Sequence, residues 1–229
     1  MRLLVLLFAL LPITAFAQTP ATGTGTPQTD DDKTLYAVGL VLSKSLRDFD
    51  LSPSELEVVR RAIADAYAGK PAIDLEEWGP KIQALANLRG ERVVAREKQA
   101  GAAYLTRAAT GDKAVKTDSG LVYVETTAGT GASPAASDRV KVQYRGTLIN
   151  GTEFDSSYAR NEPAVFPLGG VIRCWTEGVQ RMKVGGKARL VCPSDLAYGD
   201  RGNEAIPGGA ALVFEVELLD IVSAPAPAN

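Results

Sequence analysis

The 229-residue chain contains no histidine. That absence excludes a Ser-His-Asp triad, a Cys-His dyad and any metal site with imidazole ligands. Two cysteines are too few for a thiolate zinc cluster. Neither sign of charge dominates: 25 basic and 27 acidic residues leave a formal net charge of −2, with no basic footprint for nucleic acid. Aromatic residues make up only 7%, so a pattern among them carries weight. No apolar run reaches the ~20 residues that span a bilayer as a helix. An enzyme of this composition is expected to work without a nucleophile, a metal or a cofactor.

What is present divides into segments. Residues 1–17 read as a signal peptide: Arg2 supplies a positive start, Leu3 to Leu11 are apolar, and Ala15-Phe16-Ala17 forms an A-x-A cleavage pattern. The mature chain is therefore expected to be exported, to an oxidising compartment and with no membrane attachment after cleavage. Residues 18–32, rich in Thr, Gly, Pro and Asp, read as a flexible linker, and 224–229, alternating Ala and Pro, as a disordered tail.

From Lys33 to about Thr110 the pattern is helical. Leu35, Val38, Leu42 and Leu46 fall on one face. Ser52-Pro53-Ser54-Glu55 is a capping box with proline at the first helical position, and Leu56, Val59, Ile63 and Tyr67 form the expected buried stripe behind it. From Asp74 a long helix is expected to run to about Ala109, restarted or kinked near Pro80, with Gly90 and Gly101 weakening its continuity. Its expected length of about 45–55 Å exceeds what two short helices can cover, which implies a second copy of the chain, against a solvated helix folded back on its own domain as the alternative.

From Thr117 to Ser223 the period becomes two. Val140, Val142 and Tyr144 alternate with polar residues. Ala188, Leu190 and Cys192 alternate with Lys187, Arg189 and Val191, and Leu212, Phe214, Val216 and Leu218 with Val213, Glu215 and Glu217. Each reads as a strand with one largely wet face, and Leu121 to Thr127 as a further strand, with one short helix over Thr176 to Met182. The class is α+β.

Five ordered motifs in this half resemble the FKBP-type peptidyl-prolyl cis-trans isomerases: Val142-Gln143-Tyr144-Arg145-Gly146, Gly151 to Ser157, Val171 to Gly178, Leu196-Ala197-Tyr198-Gly199 and Leu212 to Leu218. The helical half, with Tyr36-Ala37-Val38-Gly39, resembles the dimerisation arm of the exported bacterial FkpA and macrophage infectivity potentiator group. The resemblance implies an antiparallel β half-barrel wrapped around one short helix, over 117–223, preceded by an all-helical dimerisation domain over 33–116. It implies a pocket of Tyr144, Phe154, Asp155, Trp175, Tyr198 and Phe214, with Arg160, Val171, Ile172 and Ile206 binding substrate. Trp175 would be the floor, and Tyr144, Phe154 and Phe214 the walls. The Ile172 amide and Tyr198 hydroxyl would meet substrate carbonyls. Asp155 would either act directly on the rotating amide or hold Tyr144 and Arg160. Ala164 stands where close eukaryotic relatives carry Phe, and the Leu168 to Val171 loop looks shorter than theirs.

These residues suit the chemistry. Twisting a peptide bond destroys its resonance at a barrier of about 18–20 kcal/mol, and only X-Pro bonds populate both isomers usefully. The twisted amide is less charge-separated than the planar one, so a dry aromatic pocket that grips proline favours it. The expected partners are X-Pro segments of exported proteins, a second copy of the chain, and inhibitors of the FK506 and rapamycin type. The expected location is the periplasm, with secretion as the alternative. Rival readings are a dimeric chaperone whose client-holding cleft is the main activity, and a secreted virulence-associated binding protein. Cys174 and Cys192 lie in one half of an exported chain, which predicts a disulfide between them, against two buried thiols as the alternative.

Overall fold

The computed structural model describes residues 25–222. The expected signal peptide and C-terminal tail lie outside the described residues, as does part of the expected linker. The described residues divide into two units between Leu42 and Ser43.

In the first unit, helix α1 (Asp30–Lys44, ending just past the unit boundary) starts inside the segment read as linker. A reciprocal cap is the reason: the Asp32 N–H donates to Thr29 Oγ1 at 3.1 Å and the Thr29 N–H to Asp32 Oδ2 at 3.4 Å. The helix buries no residue, and its apolar stripe is open, with Leu35 69% and Val38 52% exposed.

The second unit opens with a 3-10 turn at Arg47–Phe49, closed by Asp50 in the left-handed region (φ 43°). Leu46 therefore lies outside α1. Helix α2 (Pro53–Tyr67) has the expected capping box, with the Glu55 N–H donating to Ser52 Oγ at 3.3 Å and the Ser52 N–H to Glu55 Oε2 at 2.8 Å. Its stripe is not buried as expected: Leu56, Ile63 and Tyr67 are exposed and only Val59 is half-buried. Helix α3 (Leu75–Trp78), a 3-10 turn at Gly79–Lys81 around Pro80, and α4 (Ile82–Ala109) follow. At 28 residues α4 is about 42 Å long, shorter than expected, because the Pro80 turn separates it from α3. It runs unbroken through both glycines. Gly101 is its one buried residue, and a Cβ there would stand 2.9 Å from the Ala211 Cβ. Close helix–loop approach, not helix propensity, explains that glycine.

The remaining strands are β1 (Ala114–Lys116), β2 (Val122–Thr127), β3 (Arg139–Leu148), β4 (Glu153–Ser156), β5 (Ala164–Pro167), β6 (Lys187–Cys192) and β7 (Leu212–Val222). They form one seven-stranded sheet in the order β1-β2-β6-β7-β3-β4, with β5 beside β3, and every pairing is antiparallel. β4 and β5 share one side of β3, against Arg145–Thr147 and Arg139–Val142 respectively. Helix α5 (Arg173–Gln180) buries Cys174, Trp175, Gly178 and Val179, and the first, second and fourth of these join the main core. The helix begins three residues before the expected Thr176.

The expected wet face is a correction at one end of the sheet. Val191 and Val213, read as solvent-facing, are buried with Val122 under Tyr104, Leu105 and Ala108 of α4. The last turns of α4 cover the reverse side of the sheet there, a long-range contact that no strand periodicity encodes. Cys174 and Cys192 form the expected disulfide, with Cα atoms 5.8 Å apart.

Candidate active site

Alternation along β3 points Val140, Val142 and Tyr144 inward, with Tyr144 4% exposed. Trp175 lies in the first turn of α5, also 4% exposed. Gly178, one turn further, lets this helix approach the sheet, since a Cβ there would stand 2.7 Å from Leu190 Cδ2. Three rings meet Trp175 nearly edge-on: Tyr144 at 5.1 Å, Phe214 at 5.4 Å and Phe166 at 5.8 Å between centroids. Phe154 on β4 meets Phe214 at 5.6 Å, also edge-on. Such perpendicular pairs set the positive edge of one ring against the negative face of another and fix ring orientation. The indole N–H of Trp175 is buried and has no hydrogen-bond partner among the described residues.

A polar triad closes one wall. The Tyr144 hydroxyl donates to Asp155 Oδ2, Arg160 Nη1 donates to Asp155 Oδ1 at 2.6 Å, and Arg160 Nη2 donates to the Tyr144 hydroxyl at 2.9 Å. Arg160 ends a 3-10 turn at Tyr158–Arg160, and Asn161 in the left-handed region (φ 53°) closes that turn. Burial pushes the Asp155 carboxyl up, but the Tyr144 and Arg160 hydrogen bonds and the Arg160 charge outweigh it and hold it below the ordinary value. Burial, then the Asp155 hydrogen bond, pushes the Tyr144 phenol up. Geometrically, Asp155 holds Tyr144 and Arg160, one of the two roles considered for it.

Ile172 caps α5, its carbonyl accepting from the Trp175 and Thr176 N–H groups at 2.9 and 3.1 Å, while its own N–H makes no hydrogen bond among the described residues. Val171 and Ile172 are half-buried against the aromatic cluster. Ile206 is 2% exposed, and its loop is shaped by Asn203, whose Oδ1 accepts from the Ala205 and Ile206 N–H groups at 2.9 Å each. Tyr198 is more open at 39%; burial, then the Asp155 charge, raises its phenol. The structure thus brings Tyr144, Trp175, Ile206 and Phe214 into one cluster with Phe154, Val171 and Ile172 against it. Asp155 and Arg160 join through Tyr144, and Tyr198 stands at the rim.

Two residues escaped the sequence reading. Phe166 contacts both Tyr144 and Trp175; its signal was the alternation in Ala164-Val165-Phe166, too short to weigh. Gly146, seen only as part of a motif, is the backbone on which the Phe154 and Phe214 rings rest.

With no histidine present, and with Asp155 lowered while both phenols are raised, no group of this site titrates between pH 5 and 8. The kcat/KM for a proline peptide should therefore be flat across that window. On the acid side a loss is expected as the pH falls through the lowered Asp155 value and protonation breaks the triad. The sign for stability is the same: a depressed carboxylate stabilises the fold above its unfolded value of ~3.9, and that contribution disappears in acid. A protease-free NMR exchange assay across pH 5–8 checks this, and a sigmoid centred inside the window would contradict it.

An antiparallel sheet packed on one short helix, with three aromatic rings set edge-on around a buried tryptophan, is the arrangement of a proline-isomerase domain. The chain belongs to the FKBP-type peptidyl-prolyl cis-trans isomerases: that family's model matches residues 131–219, and the model of the domain amino-terminal to it matches residues 31–124. The chain is 38% identical to the FKBP-type peptidyl-prolyl cis-trans isomerase FkpA of Escherichia coli K12, over 96% of this chain and 88% of that protein. It is 42% identical to the 22 kDa FKBP-type isomerase of the same organism, over 87% and 99%. Among solved structures, FkpA from Escherichia coli aligns with a TM-score of 0.66 at 38% identity, covering 87% of this chain and 100% of that one. A peptidyl-prolyl isomerase from Pseudomonas syringae aligns with a TM-score of 0.53 at 36% identity, covering 57% and 96%.

Proposed function

We propose that the chain isomerises X-Pro bonds of exported proteins by seating the proline ring on Trp175 between Tyr144, Phe154 and Phe214. The observation that carries this reading is the buried Trp175 floor with three rings set edge-on around it. The uncommitted Ile172 N–H and the Tyr198 hydroxyl are the donors for the substrate carbonyls that flank the proline. Asp155 and Arg160 are positioning residues that hold Tyr144. Rotation needs no proton transfer, so the pocket acts by excluding water from an amide that loses charge separation as it twists. FK506- and rapamycin-type inhibitors would compete for the same rings.

Phe154→Ala tests the pocket. One wall of about 1.5–3 kcal/mol of apolar contact disappears, so kcat/KM for a proline tetrapeptide should fall about 10- to 100-fold. Circular dichroism should remain that of the wild type. Unchanged turnover would move the proline site elsewhere.

A homodimer through the helical segment is supported by the faces it leaves open. Val38, Leu56, Ile63 and Leu85 are all exposed, although helical segments of this kind gain most of their stability from burying one face. Sedimentation should give twice the mass of the mature chain, and a monomer at micromolar concentration would overturn this reading. A periplasmic location is supported by the leader sequence and by the Cys174–Cys192 disulfide, which requires an oxidising compartment. Among the described residues no helix is long and apolar enough to cross a membrane.

A further inference from the structure

Beside the proline pocket lies a cleft of about 940 Å³ for which the pocket does not account. Phe154 and Ile206 line it and also belong to the aromatic site, so cleft and pocket are continuous. The far wall comes from the helical segment: Asp48 of the 3-10 turn, and Gly90, Val93 and Val94 of α4. A second depression of about 710 Å³ shares Asp48, Gly90 and Val94 and runs on along α4 to Gln83.

Both walls are held in place. Arg89 binds Glu55 at 2.5 Å, and Arg96 binds Asp50 at 2.7 Å, tying α4 to the 3-10 turn and the start of α2. Lys98 binds Asp200 at 2.5 Å, tying α4 to the rim loop of the pocket. Each exposed pair is worth little alone. The close fit of Gly209 against α4 adds to them, since a Cβ there would stand 2.7 Å from the Val94 carbonyl oxygen. The cleft is therefore preformed.

Gly90 points to an occupant. A glycine inside a helix costs about 1 kcal/mol relative to alanine. Gly101 in the same helix is explained by its contact with Ala211, whereas nothing lies within 4 Å of the place a Gly90 Cβ would occupy. Yet Gly90 lines both depressions. No neighbour among the described residues requires its small size.

We propose that the cleft is an extension of the substrate site, holding an extended stretch of the same polypeptide whose proline occupies the pocket. This rests on the proline site being the aromatic pocket. From Gln83 to Val94 the helix rises about 17 Å, the reach of about five extended residues. The apolar lining of Val93, Val94, Phe154 and Ile206 accepts aliphatic side chains. Arg47, Asp48, Arg201 and Glu204 around it carry both signs, so net charge does not select the substrate. Flanking residues thus add affinity that a tetrapeptide cannot reach.

The test compares the full-length chain on a proline tetrapeptide and on two twelve-residue peptides that extend it with Leu- and Val-rich sequence, one on each side. One extended peptide should show kcat/KM about tenfold above the tetrapeptide. A Cβ at Gly90 meets no described atom within 4 Å, so Gly90→Leu projects into the cleft, and it raises helix propensity. It should abolish that tenfold advantage, leave the tetrapeptide unchanged and leave the sedimentation mass unchanged. The proposal is overturned by a wild type with no advantage on either extended peptide. It is equally overturned by Gly90→Leu retaining the advantage, slowing both substrates alike, or losing the advantage together with half the mass. Failure of the wild type on the tetrapeptide itself would instead refute the pocket reading.

Discussion

Gly146→Val should lower kcat/KM for a proline tetrapeptide by about 100-fold or more. Gly146 lies on β3, opposite Asp155 on one neighbour and Phe214 on the other. A Cβ at this position would stand 2.7 Å from Phe154 Cζ and 2.9 Å from Phe214 Cε1, closer than real side chains approach. Phe214 is 4% exposed and confined by the core, so Phe154, which is half-buried, must move outward. On the proposed mechanism this opens one wall of the pocket and lets water reach the rotating amide. A displacement of about 1 Å in such a site can cost 100-fold, and overpacking adds about 1–3 kcal/mol of destabilisation. Tetrapeptide exchange by NMR and a denaturant melt separate the two effects. Wild-type turnover in a folded Gly146→Val protein would show that these two rings do not form the pocket.

Removing the Cys174–Cys192 link by the double substitution Cys174→Ala and Cys192→Ala should lower stability by about 3 kcal/mol, from the chain entropy of the closed loop. For a chain of this size that is roughly 6–12 °C in Tm. Cys174 precedes Trp175 in the first turn of α5, and Cys192 ends β6, so the bond ties the helix that carries Trp175 to the sheet. Both cysteines are fully buried, which makes substitution a cleaner test than reduction. Activity at 25 °C should fall much less than stability, because Tyr144, Phe166 and Phe214 still hold the indole. Calorimetry reads the first effect and tetrapeptide turnover the second. A variant as stable as the wild type would mean that packing alone keeps α5 in place.

Much of this protein is legible in the order of its residues. Period-two alternation through Val140, Val142 and Tyr144 and through Leu212 to Leu218 specifies β3 and β7, because strand geometry sends alternate side chains to opposite faces. The Ser52-Pro53-Ser54-Glu55 cap specifies the start of α2, because local hydrogen bonds complete it. The absence of histidine excludes whole classes of chemistry, and the five ordered motifs point to the proline pocket. The tertiary structure alone decided what depends on distant approach. Val191 and Val213 are buried because the end of α4 returns over the sheet. Thr29 starts α1 within a segment whose composition reads as linker. Gly146 and Gly101 matter through atoms of Phe154, Phe214 and Ala211, distant in sequence or on neighbouring strands. Gly90 gains meaning only when the cleft beside it is seen. Local sequence records what a residue does to its own backbone and its immediate neighbours. Which surfaces then meet, and what space they leave, is set by packing between segments far apart in the chain.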